Sequence, residues 1–369
     1  MEPCGKHPVP ATPPGLLEFG ARAQRRITEL LDGEIDRWSA VDATLTPPLV
    51  ALRELVTAGG KRLRPAFCYW AFVGAGGDPA DPRVDDVGAA LELLHAFALV
   101  HDDVMDGSAR RRGRPSVHTA FGSTHRAARA HGEARRFGEG AAILVGDFAF
   151  VYADRLFASA PASARPVFDE LRIELCVGQF LDLAGSARLP RADVARERGP
   201  ELGRELAQAE LIERYKSGKY TVERPMHLGA ALAGRLDELE APLTAFGVPL
   251  GQAFQLRDDL LGAFGDPDVT GKPVGDDLRE RKLTPLVASG VARDPEIADA
   301  LDADDDRIDD AWVARVQDLL VQSGAVTDVE ERIAAHVRDA LAALDRVDVT
   351  DEARDALVAL AHFVAWRDR

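Results

Sequence analysis

The feature that most constrains this chain is its hydrophobic period. Apolar residues recur at three- and four-residue steps almost from end to end, the spacing that lines one face of an α-helix. In VDDVGAALELLHAFALVHDDVMD, Val87, Leu91, Leu94, Ala98 and Met105 follow that spacing. LRIELCVGQFLDLAG, LTAFGVPLGQAFQLRDDLLGAF and VEERIAAHVRDALAAL read the same way, whereas alternating, strand-like runs are short and rare. Proline and glycine clusters punctuate the helices at TPP, GAGGDPADP, RRRGRP, ARLPRA and FGDPDVTGKPVGDD. There is no fixed-period repeat and no linker long enough to separate two domains. With 369 residues available to bury a core, the reading is one all-α domain over residues 16–369, preceded by a disordered, proline-rich lead-in at residues 1–15.

Charge and composition then remove whole classes of function. A formal net charge of −16 argues against a nucleic-acid partner, which wants a broadly basic surface. No run approaches the roughly 18 uninterrupted apolar residues of a membrane span; the best candidate, AAILVGDFAFVYA, is cut by Asp147. The N-terminus has no apolar signal core. Three cysteines, Cys4, Cys68 and Cys176, form no CxxC and no even set, which points to a reducing, cytoplasmic setting. Only six of the 45 basic residues are lysine. Lysine is a compact point charge suited to phosphate and is not replaced everywhere by arginine. Its retained positions therefore carry some information.

Five of the six lysines lie in three segments beside other charge: GGKRLRP (Lys61), RYKSGKY (Lys216, Lys219) and GKPVGDDLRERKLT (Lys272, Lys282). The segment LVHDDVMDGSARRRGRP sets a tight acidic cluster next to an equally tight basic one at a helix end. Its Asp102 and Asp106 stand one turn apart, where two carboxylates can share hard cations. Ordinary surface pairing of Asp with Arg would contribute under about 1 kcal/mol and needs no such clustering. A DDxxD pattern alone is weak, because an aspartate-rich chain produces it by chance; Asp305 to Asp309, DDRID, is a second literal match with nothing basic or apolar-periodic around it. That copy reads as a solvated loop or helix end. A second acidic helix end, Asp258 and Asp259 in FQLRDDLLG, is followed by Lys272 and Lys282. Two acidic helix ends and several basic clusters suit a magnesium-bound diphosphate, with carboxylates on the metal and Lys/Arg on the remaining charge.

In this order the segments resemble the trans (E)-type isoprenyl diphosphate synthases, or polyprenyl synthetases, over about Gly59 to Thr284 and through five separate motifs. The resemblance implies an all-α helical bundle of the isoprenoid synthase type around a central cavity, acting as a homodimer. It implies that Lys61, Arg64 and His95 grip isopentenyl diphosphate, with Arg112 of RRG. Arg111 would contact the allylic diphosphate, together with Lys216, Ser217, Lys272 and Lys282. Asp102 and Asp106, supported by Asp103, would ligate two Mg²⁺, and Asp258, beside Asp259, a third. Gln179 and Asp182 match a polar pair beside the reacting carbons. Two departures stand out: Gly262 replaces the last carboxylate of the second motif, and Ser217 stands for threonine. Neither removes a charged position that the resemblance assigns to diphosphate or metal.

The implied reaction is head-to-tail condensation of isopentenyl diphosphate with dimethylallyl, geranyl or farnesyl diphosphate. Ionisation is driven by electrostatic stabilisation of the leaving pyrophosphate, and the tail lies in an apolar channel whose depth sets product length. Residues four and five before the first aspartate, Ala98 and Phe97, are expected to help form its floor. One aromatic there resembles the geranylgeranyl (C20) synthases, with farnesyl (C15) as runner-up and a longer polyprenyl chain also open. Two rival readings share the fold. A class I terpene cyclase normally carries an asparagine-led second metal motif, and this chain has no asparagine. A non-catalytic partner subunit tends to lose the aspartates or the basic cage, and both persist here.

Overall fold

The computed structural model describes residues 10–186, 202–265, 275–304 and 307–367. Helices α1 (Leu16–Ser39), α2 (Thr46–Thr57), α3 (Leu63–Gly74), α4 (Pro82–Met105), α5 (Val117–Ala127), α6 (Ala134–Phe157) and α7 (Arg165–Ser186) make the first half. Helix α8 (Leu202–Glu213) passes directly into a π-helical segment, Arg214–Glu223, and then into α9 (Arg224–Leu232); the long α10 (Leu236–Phe264) follows. The chain continues through α11 (Asp276–Arg279), α12 (Pro285–Arg293), α13 (Pro295–Leu301), α14 (Asp310–Gln322), α15 (Ala325–Leu344) and α16 (Asp351–Trp366). Strand pairing among the described residues is confined to one small hairpin, Arg110 with Pro115 and Arg111 with Arg114. The all-α expectation holds.

Helix α4 is the centre of the fold. Asp81 caps its first turn by accepting the Arg83 N–H at 2.9 Å, and Pro82 occupies the first helical position, where no N–H is needed. Val84, Val87, Ala89, Ala90, Leu91, Leu93 and Leu94 are all buried, so the helix is covered on nearly every side rather than along one stripe. It packs on α6, while α3 packs on α9 and α10 on α15. The main core joins Phe67, Leu91, Leu94, Phe168 and Phe246. A second core gathers Val316, Leu320, Val329 and Ile333 around Leu256 and Leu260 of α10. Each such side chain contributes about 1.5–3 kcal/mol by leaving water. Both acidic helix ends are thereby anchored in packed cores.

One expectation needs correcting. The lead-in read as disordered over residues 1–15 is ordered towards its end: Pro13 is buried, and the Pro14 carbonyl accepts the Trp70 indole N–H at 3.2 Å. Trp70 is buried in α3, and a buried indole N–H needs an acceptor, which the lead-in supplies. Residues 1–9 lie outside the described residues.

Candidate active site

Helix α4 carries Asp102 and Asp103 in its last turn and Asp106 as its C-cap, where the macrodipole is negative and carboxylates are unfavourable. Cations from three other segments offset this. Lys216 of the π-helical segment donates to Asp102 Oδ1 at 2.9 Å, beside the Gln179 amide of α7, also at 2.9 Å. Arg111 donates to Asp103 at 2.9 Å and 2.5 Å and reaches Asp102 at 3.4 Å. Lys282 pairs with Asp106 at 2.8 Å. Burial works against the Asp102 charge, yet Lys216, Lys282 and Arg111 together hold its carboxyl well below the ordinary range. Burial and the neighbouring Asp102 charge push Asp106 up, and burial pushes Asp103 up despite Arg111.

Lys216 also bonds Asp182 of α7, and Asp182 joins Asp102 and Asp106 in a group whose oxygens lie within 4.8 Å of one another. An all-carboxylate donor set of this kind suits a hard divalent cation such as Mg²⁺. The sequence reading placed Asp182 beside the reacting carbons; the packing of α7 on the π-helical segment brings it to the carboxylate cluster as well. That packing needs Gly178, since a Cβ there would lie 2.3 Å from the Lys216 backbone nitrogen. The π-helical turns are themselves legible only in three dimensions. They send Lys216 into the cluster and Lys219 into a buried network with Glu174, which also takes Arg224 at 2.7 Å. One lysine of YKSGKY therefore joins the carboxylate cluster and the other a buried ion-pair network. Ser217 lies partly buried beside Lys216.

The second acidic end separates its two aspartates. Asp258 is held by Arg367 from the chain's C-terminal end. Asp259, expected at a metal, is buried against Glu213 and accepts the Gln255 amide at 2.9 Å. Burial pushes its carboxyl above the ordinary range. Neighbouring residues on a helix point about 100° apart, so Asp258 meets Arg367 while Asp259 meets Glu213 and Gln255. The gap left by Gly262 is filled from elsewhere. A Cβ at residue 262 would lie 1.8 Å from Asp277 Oδ2, so the α11 carboxylate occupies the space of the absent side chain. Lys282 ties this group to α4, lying 2.8 Å from Glu280 and 3.9 Å from Asp277. Ser108, just past α4, donates to Glu280 at 2.8 Å. Asp277 and Glu280 were not singled out from sequence. Lys272 lies outside the described residues.

The basic side is built on strained backbone. Arg62 and Arg112 have φ near +52° and +51°, a conformation most residues avoid. Arg62 is fastened by a buried ion pair with Glu92 and a bond to the Val56 carbonyl. Arg112 donates to the Gly59 carbonyl, closing the RRG turn onto the GGKRLRP loop. Arg64, next along, donates to Thr221 Oγ1 at 2.9 Å and lies over the Tyr220 ring at 4.1 Å. His95 is held neutral at physiological pH: burial and then Arg64 and Arg112 push its pKa well below the ordinary value, and its buried Nδ1 has no partner among the described residues. Lys61 is partly buried on the same loop. Arg64, His95 and Arg112 thus converge, and the π-helical segment touches this basic group and the acidic one alike.

The two tail residues diverge. Phe97 packs edge-on against His101, with ring centroids 4.6 Å apart, and against Phe150 of α6 at 5.0 Å; Ala98 is partly buried. In the second DDRID match, Asp309 caps α14 by accepting the Trp312 N–H at 2.8 Å, while Asp305 and Asp306 lie outside the described residues. No helix among the described residues is long and apolar enough to cross a membrane.

Comparison with known proteins follows this geometry. The polyprenyl synthetase family model matches residues 49–315. A short chain isoprenyl diphosphate synthase of Methanothermobacter thermautotrophicus is 32% identical over 93% of this chain and 97% of its own. A geranylfarnesyl diphosphate synthase of Aeropyrum pernix is 32% identical over 90% of this chain and 99% of its own. The crystal structure of a geranylgeranyl pyrophosphate synthase from Corynebacterium glutamicum, complexed with isoprenyl diphosphate and magnesium, superposes with a TM-score of 0.87 at 36% identity, covering 95% of this chain and 99% of that one.

Proposed function

This chain belongs to the polyprenyl synthetase family, and from that membership we propose that it condenses isopentenyl diphosphate with allylic diphosphates to geranylgeranyl diphosphate. It is a transferase of the trans-prenyl diphosphate synthase class. The observation that carries the reading is Lys216, whose ammonium sits between Asp102 and Asp182 while Lys282 and Arg111 hold Asp106 and Asp103. Cations and carboxylates arranged in alternation can be drawn apart by a ligand that offers phosphate to one set and metal to the other.

The carboxylates fit Mg²⁺: Asp102, Asp106 and Asp182 would hold it on the α4 side and Asp258 on the α10 side, three ions in all. When bound, Mg²⁺ supplies neutralisation of the diphosphate leaving group. Arg111, Lys216 and Lys282, with Lys272, bind the allylic diphosphate and remain charged as its C–O bond breaks. Gln179 stays on the Asp102 side, beside the reacting carbons. Lys61, Arg64 and Arg112 bind the isopentenyl diphosphate, and neutral His95 offers it a ring N–H rather than a charge. The isopentenyl double bond then attacks the allylic carbon, and the proton it sheds goes to the departing pyrophosphate. No protein nucleophile is required.

Support for a C20 product comes from the single aromatic, Phe97, beside the small Ala98, and from the Corynebacterium structure named as a geranylgeranyl pyrophosphate synthase. Support for a homodimer comes from apolar stripes facing outward on consecutive helices. Phe137, Leu144 and Val151 recur every seven residues along α6, and Ile173, Val177 and Phe180 every three or four along α7; Phe180 is 70% exposed. Apolar side chains left in water along two helices suit burial against a second copy of the chain. The free thiols of Cys68 and Cys176 suit a cytoplasmic setting.

The test is incubation of the pure protein with isopentenyl diphosphate, each allylic diphosphate and Mg²⁺, with product mass as readout. A C20 diphosphate is expected. A cyclised hydrocarbon or no product would overturn the reading, and a C15 or C25 product would overturn the length alone. Asp102→Ala and Asp258→Ala should remove most turnover, and Asp305→Ala with Asp306→Ala should leave it nearly unchanged.

A further inference from the structure

Arg64 is held, among the described residues, by two successive residues of the π-helical segment. The Tyr220 ring lies under its guanidinium at 4.1 Å, and Thr221 Oγ1 accepts its N–H at 2.9 Å. Tyr220 and Thr221 are both buried, at 3% and 0% exposure, so neither is a passing surface contact. The Tyr220 ring also stands 6.1 Å from His95, centroid to centroid, which places it between two of the groups that converge on the isopentenyl side. Its hydroxyl is buried and makes no hydrogen bond among the described residues, and Arg64 Nε likewise has none. What the tyrosine offers Arg64 is therefore the face of its ring, the geometry of a cation–π contact. The guanidinium keeps unused donors for a ligand, because the ring and the threonine together take up only its face and one N–H.

We propose that Tyr220 and Thr221 are positioning residues for Arg64, orienting its guanidinium to take the diphosphate of isopentenyl diphosphate, and so are determinants of affinity for that substrate alone. This rests on the reading of Arg64 given above. The same segment delivers Lys216 to the acidic cluster four residues earlier, so one stretch of backbone sets the spacing between the two substrate sides.

The experiment measures KM for isopentenyl diphosphate and, separately, for the allylic diphosphate, in the full chain carrying Tyr220→Met, Tyr220→Phe, Thr221→Val, Arg64→Met and the double variant Arg64→Met/Tyr220→Met. Tyr220→Met fills the core without a ring face and should raise the isopentenyl KM about three- to thirty-fold, the range of a cation–π contact, with the allylic KM within about twofold of wild type. Tyr220→Phe keeps the face and should keep the KM. Thr221→Val, nearly isosteric, should raise it several-fold. In the double variant the KM should equal that of Arg64→Met, since Tyr220 acts only through Arg64. Full additivity, an equal rise in the allylic KM, or a loss in Tyr220→Phe as large as in Tyr220→Met would overturn the proposal. Should Tyr220→Met fail to fold, as read by thermal melting, an unchanged KM in Thr221→Val would overturn it. An unchanged KM in Arg64→Met would instead sink the assignment of Arg64 itself.

Discussion

Replacing Lys216 by methionine removes one charge and leaves the side-chain length. In the protein as it stands, that ammonium neutralises two carboxylates at once, Asp102 at 2.9 Å and Asp182. At an effective dielectric of 20, one pair at 2.9 Å has a gross attraction of about 6 kcal/mol. Much of that offsets the cost of taking the charges out of water, and breaking a buried pair typically costs about 3–5 kcal/mol net. Asp102 keeps Gln179 and Arg111, so the low end, about 3 kcal/mol, is expected. For a chain of 369 residues that corresponds to a melting temperature lower by about 4 °C in the presence of chelator. Two of the three carboxylates within 4.8 Å, Asp102 and Asp182, are then left without their shared cation, and added Mg²⁺ no longer competes with it. Saturation at a hundred times Kd returns about 2.7 kcal/mol, most of what was lost. The Mg²⁺-induced rise in melting temperature should therefore be larger in Lys216→Met than in wild type. Turnover should still fall about 10²- to 10³-fold at saturating Mg²⁺, because a preorganised cation is missing as the allylic C–O bond breaks. Differential scanning fluorimetry with chelator and with Mg²⁺, beside a turnover assay, reads both. A variant that melts like wild type in chelator and turns over within threefold of it would refute the reasoning.

Two further outcomes follow from named contacts. Burial, and then the Arg224 charge, push His227 down to about 4 from its ordinary 6.5, so its neutral form stabilises the fold fully above pH 6.5 and that stability drains away as pH falls through 4. Between those limits wild type should lose about 3 kcal/mol more than His227→Gln, read by denaturant titration at each pH; parallel curves would contradict the assignment. Phe97→Ala should lengthen the product and Ala98→Phe shorten it, with Phe97→Ala also costing about 2 kcal/mol for the lost packing on His101 and Phe150. An unchanged product distribution in both variants would place the floor of the tail channel on another helix.

What the sequence determined by itself was local or periodic. The three- and four-residue hydrophobic period specified helices, because helix formation and burial of one face both follow from spacing along the chain. The one-turn interval between Asp102 and Asp106 likewise put two carboxylates together without reference to the rest of the molecule. That the RRG turn closes onto the GGKRLRP loop, through Arg112 and the Gly59 carbonyl, appeared only in the folded chain. Which partner each member of a charged pair meets was settled by packing. Lys219 is bound to Glu174 while Lys216 reaches Asp102, because the π-helical turns rotate the two away from each other. Asp259 turns into the core beside Glu213 while Asp258 meets Arg367, more than a hundred residues away in sequence. Asp277 fills the space left by Gly262, a relation between two helices that no spacing rule encodes. Such pairings depend on where separate helices touch, and only the folded chain brings those surfaces within the few ångströms over which charge and hydrogen bonding act.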